Sequence, residues 1–123
     1  MALLRAVRAF FEGQGFWEVQ TPALQVCPST DTHVHAFAVE GKSINSKGLY
    51  LHTSPELAMK KLLVAGLSKI FQICSVFRKG DDSRLHSPEF TMIEWYRAQA
   101  GYAEIMQDCE DMLKFCADRL GVE

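Results

Sequence analysis

The densest gathering of chemically capable side chains in this sequence lies between residues 76 and 90. It reads Val76-Phe77-Arg78, then Arg84-Leu85-His86-Ser87-Pro88-Glu89-Phe90. Arg78, Lys79, Arg84 and His86 crowd one loop and the ends of two apolar runs. A guanidinium presents a planar fork of donors that matches phosphate or carboxylate, so an anion with several oxygens would suit this set. Phe90 could offer its face to a purine. A solvated charged hairpin with a core phenylalanine would read the same way, because charged loops are common. Two carboxylates stand apart from the loop. Glu94 sits inside an apolar run, where an unpaired charge is costly. Glu56 follows Ser54-Pro55, where a first-turn carboxylate also suits a helix dipole. His33 and His35 lie two apart, on one face of an extended segment, but no third metal ligand accompanies them. Cys27, Cys74, Cys109 and Cys116 form no CxxC pair, which favours structural thiols over zinc.

These residues need elements to hold them. Leu3, Leu4, Val7, Phe10 and Phe11 recur at helical spacing, and Gly13 and Gly15 stop that helix. Residues 16–20 read as a strand ended by Pro22, and residues 23–32 as a loop. Val34 to Val39 and Leu49 to Thr53 have strand character, with a hairpin loop through Gly41, Ser43, Asn45, Ser46 and Gly48. Ser54 as N-cap, Pro55 at the first helical position and Glu56 in the first turn predict a helix running to about Ala65, with Gly66 as its stop. Ile70 to Phe77 and Phe90 to Tyr96 form a hairpin around the charged loop. Tyr102 to Leu120 is amphipathic, with Ile105, Met106, Cys109, Met112, Leu113, Cys116 and Leu120 on one face. Strands clustered around hairpins, without regular helical crossovers, predict an α+β fold: one domain, with an antiparallel sheet flanked by helices.

Composition narrows the function classes. The length suits one domain, and 48% hydrophobic residues can build a core. A net charge of -2 and no Lys/Arg block argue against a dedicated nucleic-acid module. No run is long enough to span a bilayer, and the start, with Arg5 and Arg8 inside it, lacks a signal-peptide cleavage site. The expectation is a cytoplasmic protein with no membrane partner.

Three ordered blocks carry a family resemblance. The run FR…RLHSPEFTMIEWYR (about 73–97 with its first strand) resembles motif 2 of class II aminoacyl-tRNA synthetases in its lysine-specific form. FEGQGFWEVQTPAL, within about 5–24, resembles motif 1, with Pro22 as the motif proline. TSPELAMKKLLVAGLSKIFQICSVFR fills the stretch between them as in lysyl-tRNA synthetases. TSPE, EWYR and TDTHVHAF are most similar to the related ligases that attach a lysine-type amino acid to elongation factor P.

The resemblance implies a mechanism and a set of roles. ATP and lysine or β-lysine would react to an aminoacyl-adenylate with Mg²⁺, and the acyl group would pass to a lysine of elongation factor P. Arg78 would bridge the ATP α-phosphate and the amino-acid carboxylate. His86 would reach the β- and γ-phosphates, Arg84 would join the ATP-binding residues, and Phe90 would stack on adenine. Where the usual motif has Arg-x-Glu, this chain has Gly80, with Asp81 or Asp82 of the same loop as a substitute. Glu56 and Glu94 would bind the ammonium groups of the substrate, since two carboxylates facing a dication leave each charge with a partner. Tyr96 would face the same side of its strand as Glu94, and Ser54 would shape the amino-acid pocket. Motif 1 implies a homodimer, with Phe10, Phe11, Phe16 and Trp17 in the core or the interface. A true lysyl-tRNA synthetase core, with tRNA as acceptor, and a non-catalytic dimerisation module are the alternatives. Nothing after Arg97 resembles motif 3 or the later acidic residues that hold Mg²⁺. The expectation is therefore a partial catalytic domain over residues 1–123, with metal ligands lying elsewhere and little adenylate formation by this chain alone.

Overall fold

The computed structural model describes residues 2–41, 48–80 and 83–122. The elements run α1 (Ala2–Gly13), β1 (Trp17–Glu18), β2 (Leu24–Gln25), β3 (Ala38–Val39), β4 (Leu49–Leu51), α2 (Glu56–Val64), β5 (Lys69–Phe77), β6 (Glu89–Arg97) and α3 (Tyr102–Leu120). The architecture is α+β. Its main sheet has the order β1-β5-β6, and a smaller one has the order β2-β4-β3.

The β5–β6 hairpin is the spine of the molecule. It is antiparallel over nine residue pairs, from Lys69 opposite Arg97 to Phe77 opposite Glu89. Alternation of side chains sends Phe71, Ile73, Ile93 and Trp95 to one face. There they meet Ala6, Val7, Phe10, Phe11 and Phe16, with Met112, Cys116 and Phe115 from α3. Phe11 is the hub: its ring lies 5.1 Å from Phe10, 5.2 Å from Phe16, 5.1 Å from Phe71 and 5.3 Å from Trp95. The opposite face carries Gln72, Cys74, Phe90, Met92, Glu94 and Tyr96, with Ile70 and Val76 fully buried, beside α2.

The structure corrects several sequence expectations. The main sheet is mixed, because β1 runs parallel to β5 with Trp17 opposite Ile70. About 50 residues separate these strands, which is ample chain for a parallel connection. The strand expected over 16–20 pairs only at Trp17–Glu18, and that expected over Val34–Val39 only at Ala38–Val39. Leu24–Gln25, expected as loop, pairs with Tyr50 and Leu51. The hairpin between β3 and β4 is present, but residues 42–47 of its loop lie outside the described residues. His33 and His35 are not on a common strand; His35 forms an isolated bridge with Lys79.

α2 starts one residue later than its sequence suggests, with Pro55 rather than Ser54 in the cap position. The Ser54 hydroxyl accepts the Glu56 amide at 3.0 Å, a two-residue turn bond rather than a three-residue cap. α3 has the expected bounds, but only part of its apolar face is covered. Met112 and Cys116 are buried, while Met106 and Leu113 are exposed. Phe10, Phe11 and Phe16 are all buried within the chain, so of the four aromatic residues considered for an interface only Trp17, 69% exposed, is available. Among the described residues no helix is long and apolar enough to cross a membrane.

Candidate active site

Glu94 lies in the middle of β6, and two hydroxyl groups hold its carboxylate. Ser54 donates to Oε2 at 2.6 Å, and the Tyr96 hydroxyl donates to Oε1. Ser54 arrives from the turn before α2, 40 residues earlier in the chain. Tyr96 arrives because residues two apart on a strand share a face. Burial, then the hydrogen bond to Glu94, and then the charges of Glu94 and Glu56 push the Tyr96 phenol well above its ordinary range. It is therefore a fixed donor at neutral pH. Two neutral donors orient the carboxylate without cancelling its charge, and a carboxylate still has lone pairs to offer a cation.

Glu56 opens α2 beside this group. Its carboxylate takes the Lys60 ammonium at 2.5 Å, one helical turn on, and that ammonium lies 5.9 Å from the centre of the Tyr96 ring. Behind Glu94, its strand partner Gln72 is buried and accepts a hydrogen bond from the Thr21 hydroxyl at 3.1 Å. Next along the face, the Cys74 thiol is pushed up by burial, partly offset by a hydrogen bond with Gln72 and reinforced by the Glu94 charge.

The second half of the site lies at the open end of the hairpin. The Arg78 guanidinium stands 5.2 Å from the centre of the Phe90 ring, and its Nε donates to the Thr53 carbonyl at 3.3 Å. Thr53 is buried and continues directly into Ser54, so one turn of backbone links the arginine to the carboxylate cluster. With Nε held by Thr53, the Nη edge of the planar fork is the part that can meet an anion. One face of Phe90 is taken by Arg78, and a flat ring would use the other.

The loop from 83 to 87 is exposed. The His86 Nδ1 and the Ser83 hydroxyl are 2.8 Å apart, and their backbones exchange two bonds at 3.3 Å. Arg84 is exposed on the same turn. Asp81 and Asp82 lie outside the described residues. Gly80 is described, with φ of +90°, a conformation that a side chain at this position would strain. The structure thus brings Ser54, Glu56, Glu94 and Tyr96 into one cluster and Arg78 and Phe90 into another, with Arg84 and His86 on the exposed rim.

Sequence reasoning passed over Lys60, Thr53, Gln72 and the Arg97–Asp108 pair. Lys60 carried a signal, since a Glu followed by a Lys four residues on is a standard helix pair. Thr53 contributes only a carbonyl, which leaves no trace in residue type. Gln72 was visible as a polar residue inside an apolar strand. Arg97 and Asp108, joined at 2.9 Å between β6 and α3, had no local signature. Among the described residues no three His, Cys, Asp or Glu side chains converge as a metal site. A separate cavity of about 1020 Å³ opens between β5 and the segment that follows β1, lined by Thr21, Pro22, His52, Gln72 and Cys74 among others. It reaches the flank of Gln72 but does not include Glu56, Glu94, Tyr96 or Arg78.

A carboxylate cluster suited to ammonium groups, set next to an arginine and an aromatic ring on a β-hairpin, is the kind of site that amino-acid-activating enzymes require. The family model for class II tRNA synthetases (D, K and N) matches residues 1–123, and the chain belongs to that family. Among its relatives, the elongation factor P–(R)-β-lysine ligase of Photobacterium profundum is 42% identical over 116 residues, which covers 92% of this chain and 36% of the relative. The elongation factor P–(R)-β-lysine ligase of Mannheimia succiniciproducens is 43% identical over 121 residues, covering 94% of this chain and 37% of the relative. The chain therefore spans little more than a third of the length of these curated relatives.

Proposed function

We propose that this chain provides the amino-acid and α-phosphate portion of an ATP-dependent ligase that activates lysine or β-lysine and transfers it to a lysine of elongation factor P. The observation that carries this reading is the Glu94 carboxylate, aimed by Ser54 and Tyr96 and placed beside Glu56. Paired carboxylates suit an amino acid with two ammonium groups, and an apolar or acidic one would leave a carboxylate without a partner. The names of the two relatives supply the acceptor.

In this mechanism Glu56 and Glu94 bind the substrate ammonium groups and fix the direction in which its carboxylate points. A carboxylate oxygen attacks the α-phosphorus of ATP, the bond to the bridging oxygen breaks, and pyrophosphate leaves. Arg78 touches both reacting groups and stabilises the charge that builds on the phosphoryl oxygens. Adenine stacks on the open face of Phe90, while Arg84, His86 and Asp81 serve the phosphates and base from the loop. In the second step an acceptor amine attacks the acyl carbon and AMP leaves. The protein acts as a homodimer through the segment that carries Trp17. It works in the cytoplasm, where its free thiols would stay reduced.

The test is a chimera in which residues 1–123 replace the corresponding segment of the Photobacterium profundum relative. We expect ATP–pyrophosphate exchange that depends on lysine or β-lysine, and a mass gain on elongation factor P. Arg78→Ala should lower exchange by about 100-fold or more, the usual cost of losing a donor to developing charge. Transfer to tRNA instead would favour the synthetase reading. Exchange that ignores Arg78→Ala would overturn the assignment.

A further inference from the structure

The ammonium of Lys60 already occupies the surroundings offered to a substrate ammonium. It rests on Glu56 at 2.5 Å, stands 5.9 Å from the centre of the Tyr96 ring, and is near enough to feel the charge of Glu94. The Glu56 hydrogen bond and charge push the Lys60 ammonium above lysine's usual range, burial opposes them, and Glu94 adds a smaller upward effect. With Lys60 in place, Glu56, Glu94 and Lys60 sum to a single negative charge, which matches one ammonium rather than two. With Lys60 turned away, the pair carries two negative charges and matches a diammonium substrate.

We propose that Lys60 is a resident counter-ion of this site, one that a diammonium amino acid displaces from Glu56 on binding and that thereby sets the affinity for diamino acids. The inference rests on the reading of Glu56 and Glu94 as the ammonium-binding pair. Three physical features make displacement feasible. Lys60 and Glu56 are one turn apart on an outer face of α2, and their side chains are 52% and 38% exposed, so solvent screens the pair and it is weak. Lysine is a flexible four-carbon stem with a compact charge, and it can re-solvate with little rearrangement. Two ammonium groups cannot share one carboxylate without repulsion, so occupancy by the substrate and by Lys60 compete. In the empty site Lys60 offsets the mutual repulsion of Glu56 and Glu94.

Lys60 need not touch the reacting atoms, and its role is one of specificity. The experiment titrates the chain at low salt with L-lysine, (R)-β-lysine and norleucine, comparing the parent with Lys60→Met, Lys60→Arg and Glu94→Gln. Lys60→Met should bind the two diamino acids about three- to tenfold more tightly, the size expected from removing a weak pair and its repulsion. Norleucine, which lacks the side-chain ammonium, should gain nothing. Lys60→Arg, which keeps the charge, should stay close to the parent. In parallel, the chain is reductively methylated with a ¹³C label, and the Lys60 signal is identified by its loss in Lys60→Arg. That signal should shift on adding lysine and not on adding norleucine.

If the parent binds lysine and Lys60→Met binds it equally or more weakly, Lys60 positions Glu56 instead, and the counter-ion proposal fails while the site survives. If no form binds either diamino acid, or Glu94→Gln binds as well as the parent, the site reading itself fails and the proposal with it. Lys60 is exposed, so a melting curve suffices to show that the variants fold.

Discussion

The two faces of the β5–β6 hairpin are built from the same eighteen residues of backbone and do opposite work. On one face Phe71, Ile73, Ile93 and Trp95 meet α1 and α3 in an aromatic cluster centred on Phe11, which is fully buried. On the other, Phe90, Glu94 and Tyr96 stand among polar partners, and Glu94 is held by two hydroxyls in a half-buried setting. The first face removes a continuous aromatic surface from water; the second also buries Ile70 and Val76 at its two ends. Between them it holds one carboxylate, half-buried and aimed by two hydroxyls. A strand's twofold alternation lets one hairpin do both without either face compromising the other.

The sharpest way to break this comparison is to cut the core face. Phe11→Ala should cost ~3–5 kcal/mol of unfolding free energy, the usual range for deleting a buried phenylalanine ring. Urea unfolding followed by circular dichroism measures it. A loss below about 1 kcal/mol would mean that the cluster is not the principal source of stability.

The site face should respond in the opposite way. Glu94→Gln keeps the shape and removes the charge, so lysine binding should weaken by ~1.5–3 kcal/mol, the range for a hydrogen bond to a charged group. Its urea midpoint should stay near that of the parent. A variant that unfolds easily yet binds lysine normally would reverse the roles of the two faces.

Tyr96→Phe gives the smallest change in binding, roughly 0.5–1.5 kcal/mol for the loss of one donor to Glu94. It also yields a pH test. Because the folded-state pKa of the Tyr96 phenol is raised, the contribution to stability is present below the ordinary tyrosine value of about 10 and is lost as pH rises above it. Phenolate absorbance should therefore show one of the three tyrosines titrating last, and Tyr96→Phe should remove that component. The variant should also lose less stability than the parent above about pH 10.

Much of this was legible in residue order. Periodicity placed α1, α3 and the two long strands, because each has an apolar pattern that only one element can bury. The bounds of α3 follow from Gly101 and Gly121, and at its start the Gly101 amide donates to Glu104 at 2.9 Å. The short strands were less legible. β1, β2 and β3 are two residues each, too short for alternation to show, and their pairing depends on partners 10 to 53 positions away. The identity of the candidate site residues came from three motif-like blocks, whose residue types are chemically demanding enough to stand out.

What the sequence determined by itself was therefore the set of elements and the chemistry available on them: arginines on a loop, an acid within an apolar strand, a serine and a glutamate at a helix start. Only the tertiary structure decided who meets whom. It set Ser54 against Glu94 and Thr53 against Arg78, put Lys60 over the Tyr96 ring, and placed Phe10, Phe11 and Phe16 inside the chain rather than at an interface. Local pattern reports which face of an element is apolar, because that depends on neighbours three, four or two residues away. The partner of a polar group 25 or 40 residues distant depends on how whole elements pack, and packing is a property of the assembled core.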